Sequence, residues 1–141
     1  MRYVPRSVRQ RVALAARQRC GYCLSSQHIS GASLHIEHIV PLAHGGTSDE
    51  SNLWLACAAC NSYKGAQTKA VDPLTDTWVG LFNPRTQVWS EHFEWGDDSA
   101  MIIGKTPIGR ATVIALHLNN DLIVAARRQW VLAGWHPPPT Q

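Results

Sequence analysis

Four cysteines stand in two Cys-x-x-Cys pairs, Cys20 with Cys23 and Cys57 with Cys60. Each pair can chelate one cation, and four thiolates satisfy the tetrahedral coordination of a structural zinc ion. The alternative, a free core thiol at each position, gives no reason for the same spacing to occur twice. The cysteines therefore predict a zinc site whose folding free energy holds together segments with little core of their own.

A carboxylate and an imidazole, Glu37 and His38, lie between the two cysteine pairs, and Asn61 directly follows the last cysteine. Carboxylate and amide oxygens suit a hard divalent cation such as Mg²⁺ or Mn²⁺. An imidazole that titrates near neutrality can take a proton from water. Hydrolysis of a phosphodiester needs an activated water, charge neutralisation at the phosphate and help for the leaving oxygen. We therefore expect His38 to be a general base, and Glu37 and Asn61 to ligate a catalytic cation.

Local patterns predict the elements that position these side chains. The expected order is a strand closed by Pro41, a wide turn, a second strand or extended segment, and a short helix stopped by Gly65. The corresponding segments are residues 34–40, the turn at Gly45 and Gly46, residues 52–55 and residues 58–65.

Glu37 and His38 are neighbours on the first strand, so in regular geometry their side chains point to opposite faces. A bend before Pro41 would bring them together. Asn52 is expected to hold the loop through backbone hydrogen bonds that fix His38. A carbonyl near position 38 or 39 could then orient the imidazole proton.

Two other polar residues have open alternatives. Lys64 lies one turn beyond Asn61 on the expected helix, where it could contact a phosphate or remain solvated. His35 shares a strand face with Glu37, so it could assist the metal or the substrate, and a structural or exposed histidine is the other interpretation.

From Cys20 to Lys64 the chain resembles the HNH endonuclease family. In that family an acidic residue and a histidine on the first strand of a ββα-metal site combine with a central asparagine and a final histidine or asparagine on the helix. The matching residues are Glu37-His38, Pro41, Gly45-Gly46, Asn52-Leu53, Cys57-Ala58-Ala59-Cys60-Asn61 and Lys64. The resemblance implies a nuclease and catalytic positions at Glu37, His38, Asn52 and Asn61.

Two positions depart from the commonest family pattern. Glu37 stands where aspartate is frequent, and Asn61 stands where the family name promises histidine. The neutral amide oxygen of asparagine favours magnesium or manganese over a softer metal. Longer members of the family carry a similar second half, matched here by Asn83-Pro84-Arg85, Trp89 to Phe93 and Gly109 to Thr112.

Outside the family motif, sequence patterns predict three helices and a hairpin. The predicted segments are a helix at residues 7–19 capped by Ser7, a hairpin from strands 88–95 and 100–103, and helices at residues 107–117 and 121–133. Alternation places Trp89, Phe93 and Trp95 on one side of a strand, which favours core packing over base stacking. His92 could lie on the solvent face or line a cleft.

The basic residues point to nucleic acid. Arg2, Arg6, Arg9, Arg11, Arg17 and Arg19 fall within the first nineteen residues with no acidic residue among them. A concentrated cationic face raises the local concentration of a polyanion and supports phosphate contacts, although any single arginine could be merely solvated. Arg9 and Arg85 are candidate phosphate contacts. Arg127 and Arg128 are expected to face mainly solvent by their helical spacing.

Length and composition set the outer limits. The 141 residues suit one domain, and no apolar run approaches the roughly 20 residues that span a bilayer. Because no apolar segment of the secretory kind follows the basic N-terminus, we expect a cytoplasmic protein without membrane contact. In that reducing compartment metal binding is favoured over disulfides.

These observations combine into one prediction. The fold is α+β: a zinc-bound ββα-metal (HNH) core with an N-terminal helix and a C-terminal β-hairpin plus two helices. Residues 1–141 form a single domain, with the nuclease core at 20–66 and an extension at 72–141 packed on it. The expected function is metal-dependent hydrolysis of double-stranded DNA, with a homodimer as one route to a double-strand break. The alternative is a catalytically inactive zinc module that binds nucleic acid.

Overall fold

The computed structural model describes residues 3–139, so Arg2 of the basic group lies outside the described part. The chain combines short helices with small sheets. The helices are α1 (Arg6–Ala15), α2 (Gln27–Ser30), α3 (Ala58–Lys64), α4 (Trp89–His92), α5 (Pro107–Ala115) and α6 (Asp121–Ala133). The strands are β1 (His35–His38), β2 (Leu53–Ala56), β3 (Lys69–Asp72), β4 (Thr77–Gly80), β5 (Phe93–Trp95) and β6 (Ile102–Gly104). Among these helices none is both long and apolar enough to cross a membrane.

The strands form three separate antiparallel pairs, β1 with β2, β3 with β4 and β5 with β6. In the first pair the register runs from His35 opposite Ala56 to His38 opposite Leu53. Helix α3 follows β2 directly and contacts β1. The expected order of strand, turn, strand and helix is therefore present, with β1 shorter than residues 34–40.

Helix α1 begins slightly before its predicted start and ends several residues before its predicted end. It begins at Arg6, after Pro5, and ends at Ala15 rather than near residue 19. The chain leaves the helix because Arg17 and Gln18 both adopt φ near 58°, a left-handed conformation that stops an α-helix. Ser7 lies inside the helix, so the predicted Ser7 cap is wrong. The buried face of α1 packs Val12 on the β2 side chain of Leu53.

The second half differs from the predicted hairpin in two places. Trp89–His92 is a helical turn, α4, and only Phe93–Trp95 is extended. A further hairpin, β3 with β4, was not predicted. The predicted core packing is present, because Phe93 is 1 % exposed and its ring centroid lies 5.1 Å from that of Trp89.

The last two helices follow their local signals. Thr106 accepts a hydrogen bond from the Gly109 amide at the start of α5. Asn120 caps α6 through the Ile123 amide, and Gly134 ends it in the left-handed conformation. The prediction for Arg127 is wrong: its side chain is fully buried on α6, whereas Arg128 is exposed.

One hydrophobic cluster joins residues of both parts of the chain. It includes Cys20, Cys60, Phe82, Phe93 and Leu116. A buried carboxylate adds a second link, because Asp72 at the end of β3 pairs with Arg110 on α5 through two contacts of 2.9 Å. The Arg110 guanidinium holds the pKa of Asp72 well below its usual range. The division into core and extension stays a prediction.

Candidate functional site: a cysteine cluster beside a buried ion pair

The four cysteine sulfurs converge. All four Sγ atoms lie within 4.8 Å of one another, and those of Cys23 and Cys57 are 3.7 Å apart. Ligand sulfurs about 2.3 Å from a tetrahedral zinc ion would be separated by about 3.8 Å. None of these cysteines is in a disulfide. The cluster could therefore hold a zinc ion, as the spacing predicts.

Two turns hold these sulfurs in place. In the first, the Leu24 amide donates to the Cys20 carbonyl and the Gly21 amide to the Leu55 carbonyl. A side chain at Gly21 would collide with Trp54 and Pro84, so the chain approaches too closely for any residue but glycine. In the second turn Cys57 is the N-cap of α3, and its sulfur accepts from the Cys60 amide.

Glu37 lies in a buried ion pair rather than at the surface. Its Oε1 atom is 2.9 Å from the Lys64 Nζ atom and 2.8 Å from the Tyr22 hydroxyl. The side chains of Glu37 and Lys64 are 2 % and 3 % exposed. Burial raises the pKa of Glu37 above its ordinary value, while Lys64 and Tyr22 act in the opposite direction. Tyr22 belongs to the first cysteine turn, so this pair joins the cysteine cluster to β1.

Lys64 also binds the backbone beside His38. Its ammonium group donates to the carbonyl oxygens of Ile39 and His38, at 2.9 and 3.3 Å. The Glu37 carboxylate is the third partner, so the Lys64 ammonium is buried and all three of its contacts are inside the protein. A phosphate contact of Lys64 stays a prediction, and the burial of its side chain does not support it. One of the carbonyls of residues 38 and 39 was expected to orient the imidazole proton. Both accept a hydrogen bond from the Lys64 ammonium.

His38 lies at the end of β1 with its ring partly buried. Its Nε2 atom is 3.0 Å from the Ser48 hydroxyl. The Ser48 oxygen can donate or accept, so it can accommodate either tautomer of the ring. Ser48 was not predicted. Its position in the sequence, directly after the Gly45-Gly46-Thr47 turn, is the feature from which it could have been predicted.

Asn52 holds the loop that follows His38. Its side-chain oxygen accepts from the Val40 amide at 2.9 Å, and its Nδ2 atom donates to the carbonyls of Val40 and Thr47. The Ile39 amide donates to the Asn52 carbonyl. These are the backbone hydrogen bonds expected of Asn52, and they close the loop between β1 and β2.

Gly46 allows this loop to close. A Cβ atom at Gly46 would lie 1.8 Å from the Val40 carbonyl oxygen. We therefore expect Gly46→Ala to displace the loop and to lower the free energy of unfolding by about 3 kcal/mol, the upper end of the usual cost of overpacking, because the clash is with backbone. Urea denaturation measures this change.

The control is Gly45→Ala. Gly45 has φ of 83° with open space around its Cβ position, so it carries only the left-handed strain of about 1 kcal/mol. Equal losses in the two variants would show that close approach at Gly46 does not hold the loop.

Asn61 and Glu37 are the donors expected for a catalytic cation. Asn61 is exposed on α3, one turn before Lys64. The second carboxylate oxygen of Glu37, Oε2, is buried and has no hydrogen-bond partner among residues 3–139. An unsatisfied buried oxygen calls for a partner, and a carboxylate with an amide oxygen is a donor set of the kind that Mg²⁺ takes. In chemical type the residues fit the expected cation.

The remaining polar candidates lie in different surroundings. Arg9 and His35 are exposed, and Arg9 donates to the Val4 carbonyl. Arg85 is partly buried over the Trp54 ring and donates to the Leu53 carbonyl. His92 contacts the Thr106 hydroxyl through Nδ1 at 2.7 Å.

The basic group on α1 is less uniform than its sequence indicates. Arg11 donates from Nε and Nη2 to the Oε1 atom of Glu50, and Arg19 donates to the Leu24 carbonyl. Arg6, Arg9 and Arg17 are exposed. Unlike Arg11, these three form no ion pair with an acidic residue among residues 3–139.

The Glu37–Lys64 pair gives a stability prediction. We expect Lys64→Met to lower the free energy of unfolding by about 3–5 kcal/mol near neutral pH, because it leaves a buried carboxylate without its cation. The deficit should shrink below about pH 4, where Glu37 is protonated in both folded and unfolded states. Without Lys64 the pKa of Glu37 in the folded state rises further, because burial then acts without the opposing ammonium, so the deficit grows as the pH rises above the pKa of the unfolded state.

Thermal unfolding across pH 4–8 measures this deficit. Lys69→Met, at an exposed lysine of β3, is the control for loss of one positive charge. The double variant Glu37→Gln with Lys64→Met should recover part of the loss, since no buried charge remains. A pH-independent deficit would contradict the ion-pair account.

Residues 20–67 match the family model described as HNH endonuclease. This segment contains the four cysteines, β1, β2 and α3. The match confirms the resemblance found from the sequence over this segment. The match suggests a nuclease and implies a nucleic acid substrate. No match was found among curated proteins or among solved structures.

Proposed function

We propose that this protein is a metal-dependent endonuclease that hydrolyses DNA phosphodiester bonds, built on a ββα-metal core stabilised by zinc at the four cysteines. The observation that carries the proposal is the position of His38. It ends a strand whose neighbouring residue, Glu37, is joined to both the cysteine turn and α3. These contacts fix the strand that carries His38, and the family match over residues 20–67 supports its role as the base.

In the proposed reaction His38 takes a proton from the attacking water. Its contact with Ser48 restricts ring rotation, and the Asn52 hydrogen bonds keep the following loop closed. A base held in this way loses little entropy when the substrate arrives. Asn52 therefore acts as a positioning residue in this proposal, and His38 is the catalytic residue.

Glu37 and Asn61 would hold the catalytic Mg²⁺ or Mn²⁺. When bound, such a cation neutralises charge on the phosphate and on the departing 3′ oxygen. Glu37 contributes Oε2, since Oε1 is already bound to Lys64 and Tyr22. Lys64 fixes the carboxylate and the backbone of residues 38 and 39, which is its role in this proposal in place of a phosphate contact.

The proposed substrate is double-stranded DNA. Exposed Arg6, Arg9 and Arg17 on or beside α1 support sequence-independent attraction to phosphates. One active site cuts one strand, so a double-strand break would need a homodimer or two successive encounters. Arg85 is a weaker phosphate candidate because its guanidinium is engaged by Trp54 and Leu53.

A second candidate is a zinc module that binds nucleic acid without cutting it. The observation in its favour is that Lys64 already neutralises Glu37 in a buried pair. A carboxylate in that state attracts a cation less strongly than an unpaired one.

A plasmid assay distinguishes the two functions. Supercoiled DNA is incubated with the protein in EDTA, Mg²⁺ or Mn²⁺, and binding is followed by gel shift at several salt concentrations. The nuclease converts the plasmid to open-circular DNA only with metal. Salt-sensitive binding without cutting in either metal would favour the binding module and count against the nuclease.

A further inference from the structure

Arg127 is a buried arginine for which the nuclease proposal has no role. Its side chain is 0 % exposed in the middle of α6. The guanidinium donates to the carbonyls of Leu118 at 2.7 Å and Ala100 at 2.9 Å, and its carbon lies 5.4 Å from the centre of the Trp95 ring. Its Nε atom is buried without a hydrogen-bond partner among residues 3–139.

These neutral partners leave the positive charge without an opposite charge nearby. In the described part of the chain, no aspartate or glutamate forms an ion pair with Arg127. The neighbouring Arg128, by contrast, pairs with Asp98 at the surface. Burying an uncompensated charge costs several kcal/mol, so a buried guanidinium in such a place calls for a source of negative charge.

The cysteine cluster is the candidate for that source. Arg127 lines the same cleft as Cys23, Cys57 and Cys60, together with Trp130. Burial lowers the pKa of Arg127, and negative charge on the cysteines raises it in opposition. Four thiolates with one zinc ion carry a net charge of −2, so the filled site is itself a buried anion.

We propose that Arg127 is the counter-charge of the zinc–thiolate site. One guanidinium reduces the net charge of the site from −2 to −1, while the zinc–thiolate group compensates the buried arginine. The two buried charges therefore stabilise each other, although they come from segments far apart in the chain. The inference rests on the zinc assignment and not on nuclease activity.

Other cations near the site have different partners. Lys64 follows Cys60 on α3, yet its ammonium is paired with Glu37. Arg19 precedes Cys20, and its guanidinium donates to the Leu24 carbonyl. Arg19 does not line the cleft that Arg127 shares with the cysteines. Of these three described side chains, Arg127 is the one that is fully buried, has no acidic partner and lines the cleft of the cysteines.

The test compares zinc affinity in two Arg127 variants. Arg127→Gln removes the charge, while Arg127→Lys keeps it but lacks the planar fork that reaches Leu118 and Ala100. The zinc dissociation constant is measured by competition with a chromophoric chelator, and folding is followed by circular dichroism. Arg128→Gln is the control, because it removes an exposed arginine from the next position.

The parent chain and the control should bind one zinc ion with the same affinity. Arg127→Gln should bind zinc about 10–100-fold more weakly, the usual cost of losing an outer partner of a metal site. Arg127→Lys should stay within about threefold of the parent even if its melting temperature falls. A merely structural arginine would lower stability in both variants and leave their zinc affinities equal.

Two outcomes overturn the proposal. One is an unchanged zinc affinity in Arg127→Gln, and the other is equal weakening in the Gln and Lys variants. If the parent binds no zinc, the zinc assignment itself fails. If Arg127→Gln does not fold at any zinc concentration, Arg127→Lys decides: an affinity near that of the parent supports the proposal, and a tenfold loss contradicts it.

Discussion

Cys57→Ser should lower the melting temperature by more than about 10 °C and remove most zinc binding. Structural zinc contributes roughly 10–16 kcal/mol in small zinc-dependent domains, and loss of one of four ligands should forfeit several kcal/mol of it. In a chain of this length each kcal/mol corresponds to about 3–5 °C. Calorimetry and zinc stoichiometry measure the two effects together.

Cys57→Ser should destabilise helix α3 directly, in addition to weakening the zinc site. The Cys57 sulfur caps α3 by accepting from the Cys60 amide, and α3 carries Asn61 and Lys64. Ser62→Ala, at an exposed position of the same helix, is the control. EDTA should lower the melting temperature of the control and change that of Cys57→Ser little. A Cys57→Ser protein that melts with the parent would refute the zinc scaffold.

His38→Ala should lower the rate of DNA cutting by at least about 100-fold, the lower range for loss of a general base. The substitution removes no cysteine and no partner of the Glu37–Lys64 pair. The melting temperature and DNA affinity should therefore change little. Initial nicking rates and gel shifts on the same preparations measure the three quantities.

Added imidazole offers a sharper form of this test. If His38 supplies a base, free imidazole should restore part of the activity of His38→Ala and should not stimulate the parent. His28→Ala, at an exposed histidine of α2, is the control and should cut at the parental rate. Cutting by His38→Ala at the parental rate would remove His38 from its proposed role.

The sequence predicted best those elements that are defined by local chemistry. Helix α6 begins and ends where Asn120 and Gly134 indicate, because a capping side chain and a left-handed glycine act within a few residues. The end of α3 at Gly65 follows the same logic. The cysteine cluster was also predictable, since paired spacing reflects the geometry of a shared ion.

Elements that depend on distant packing were predicted poorly. Alternation over residues 88–95 indicated one strand, but Trp89 lies in a helical turn where its indole donates to the Tyr22 carbonyl. Helical spacing gave the position of Arg127 around α6, but it could not show that other segments bury that face of the helix. Sequence periodicity describes one element at a time, whereas burial depends on all of its neighbours.

The same distinction applies to the candidate site. Glu37, His38 and Asn61 were selected by residue type and spacing, and Asn52 by the resemblance to the HNH family. The pairing of Glu37 with Lys64 and Tyr22 could not be predicted, because the three side chains come from separate segments that meet only in the folded core. The sequence left open whether Lys64 contacts a phosphate or is solvated, whereas the structure places its ammonium on the Glu37 carboxylate and the backbone of residues 38 and 39.

The most direct test of the central claim is resealing of the cut DNA. Plasmid nicked by the parent in Mg²⁺ or Mn²⁺ is purified and treated with DNA ligase. Hydrolysis with the 3′ oxygen as leaving group yields a 3′-hydroxyl beside a 5′-phosphate, so ligase should restore closed circles. Absence of metal-dependent nicks, or nicks that ligase cannot reseal, would contradict the proposed reaction.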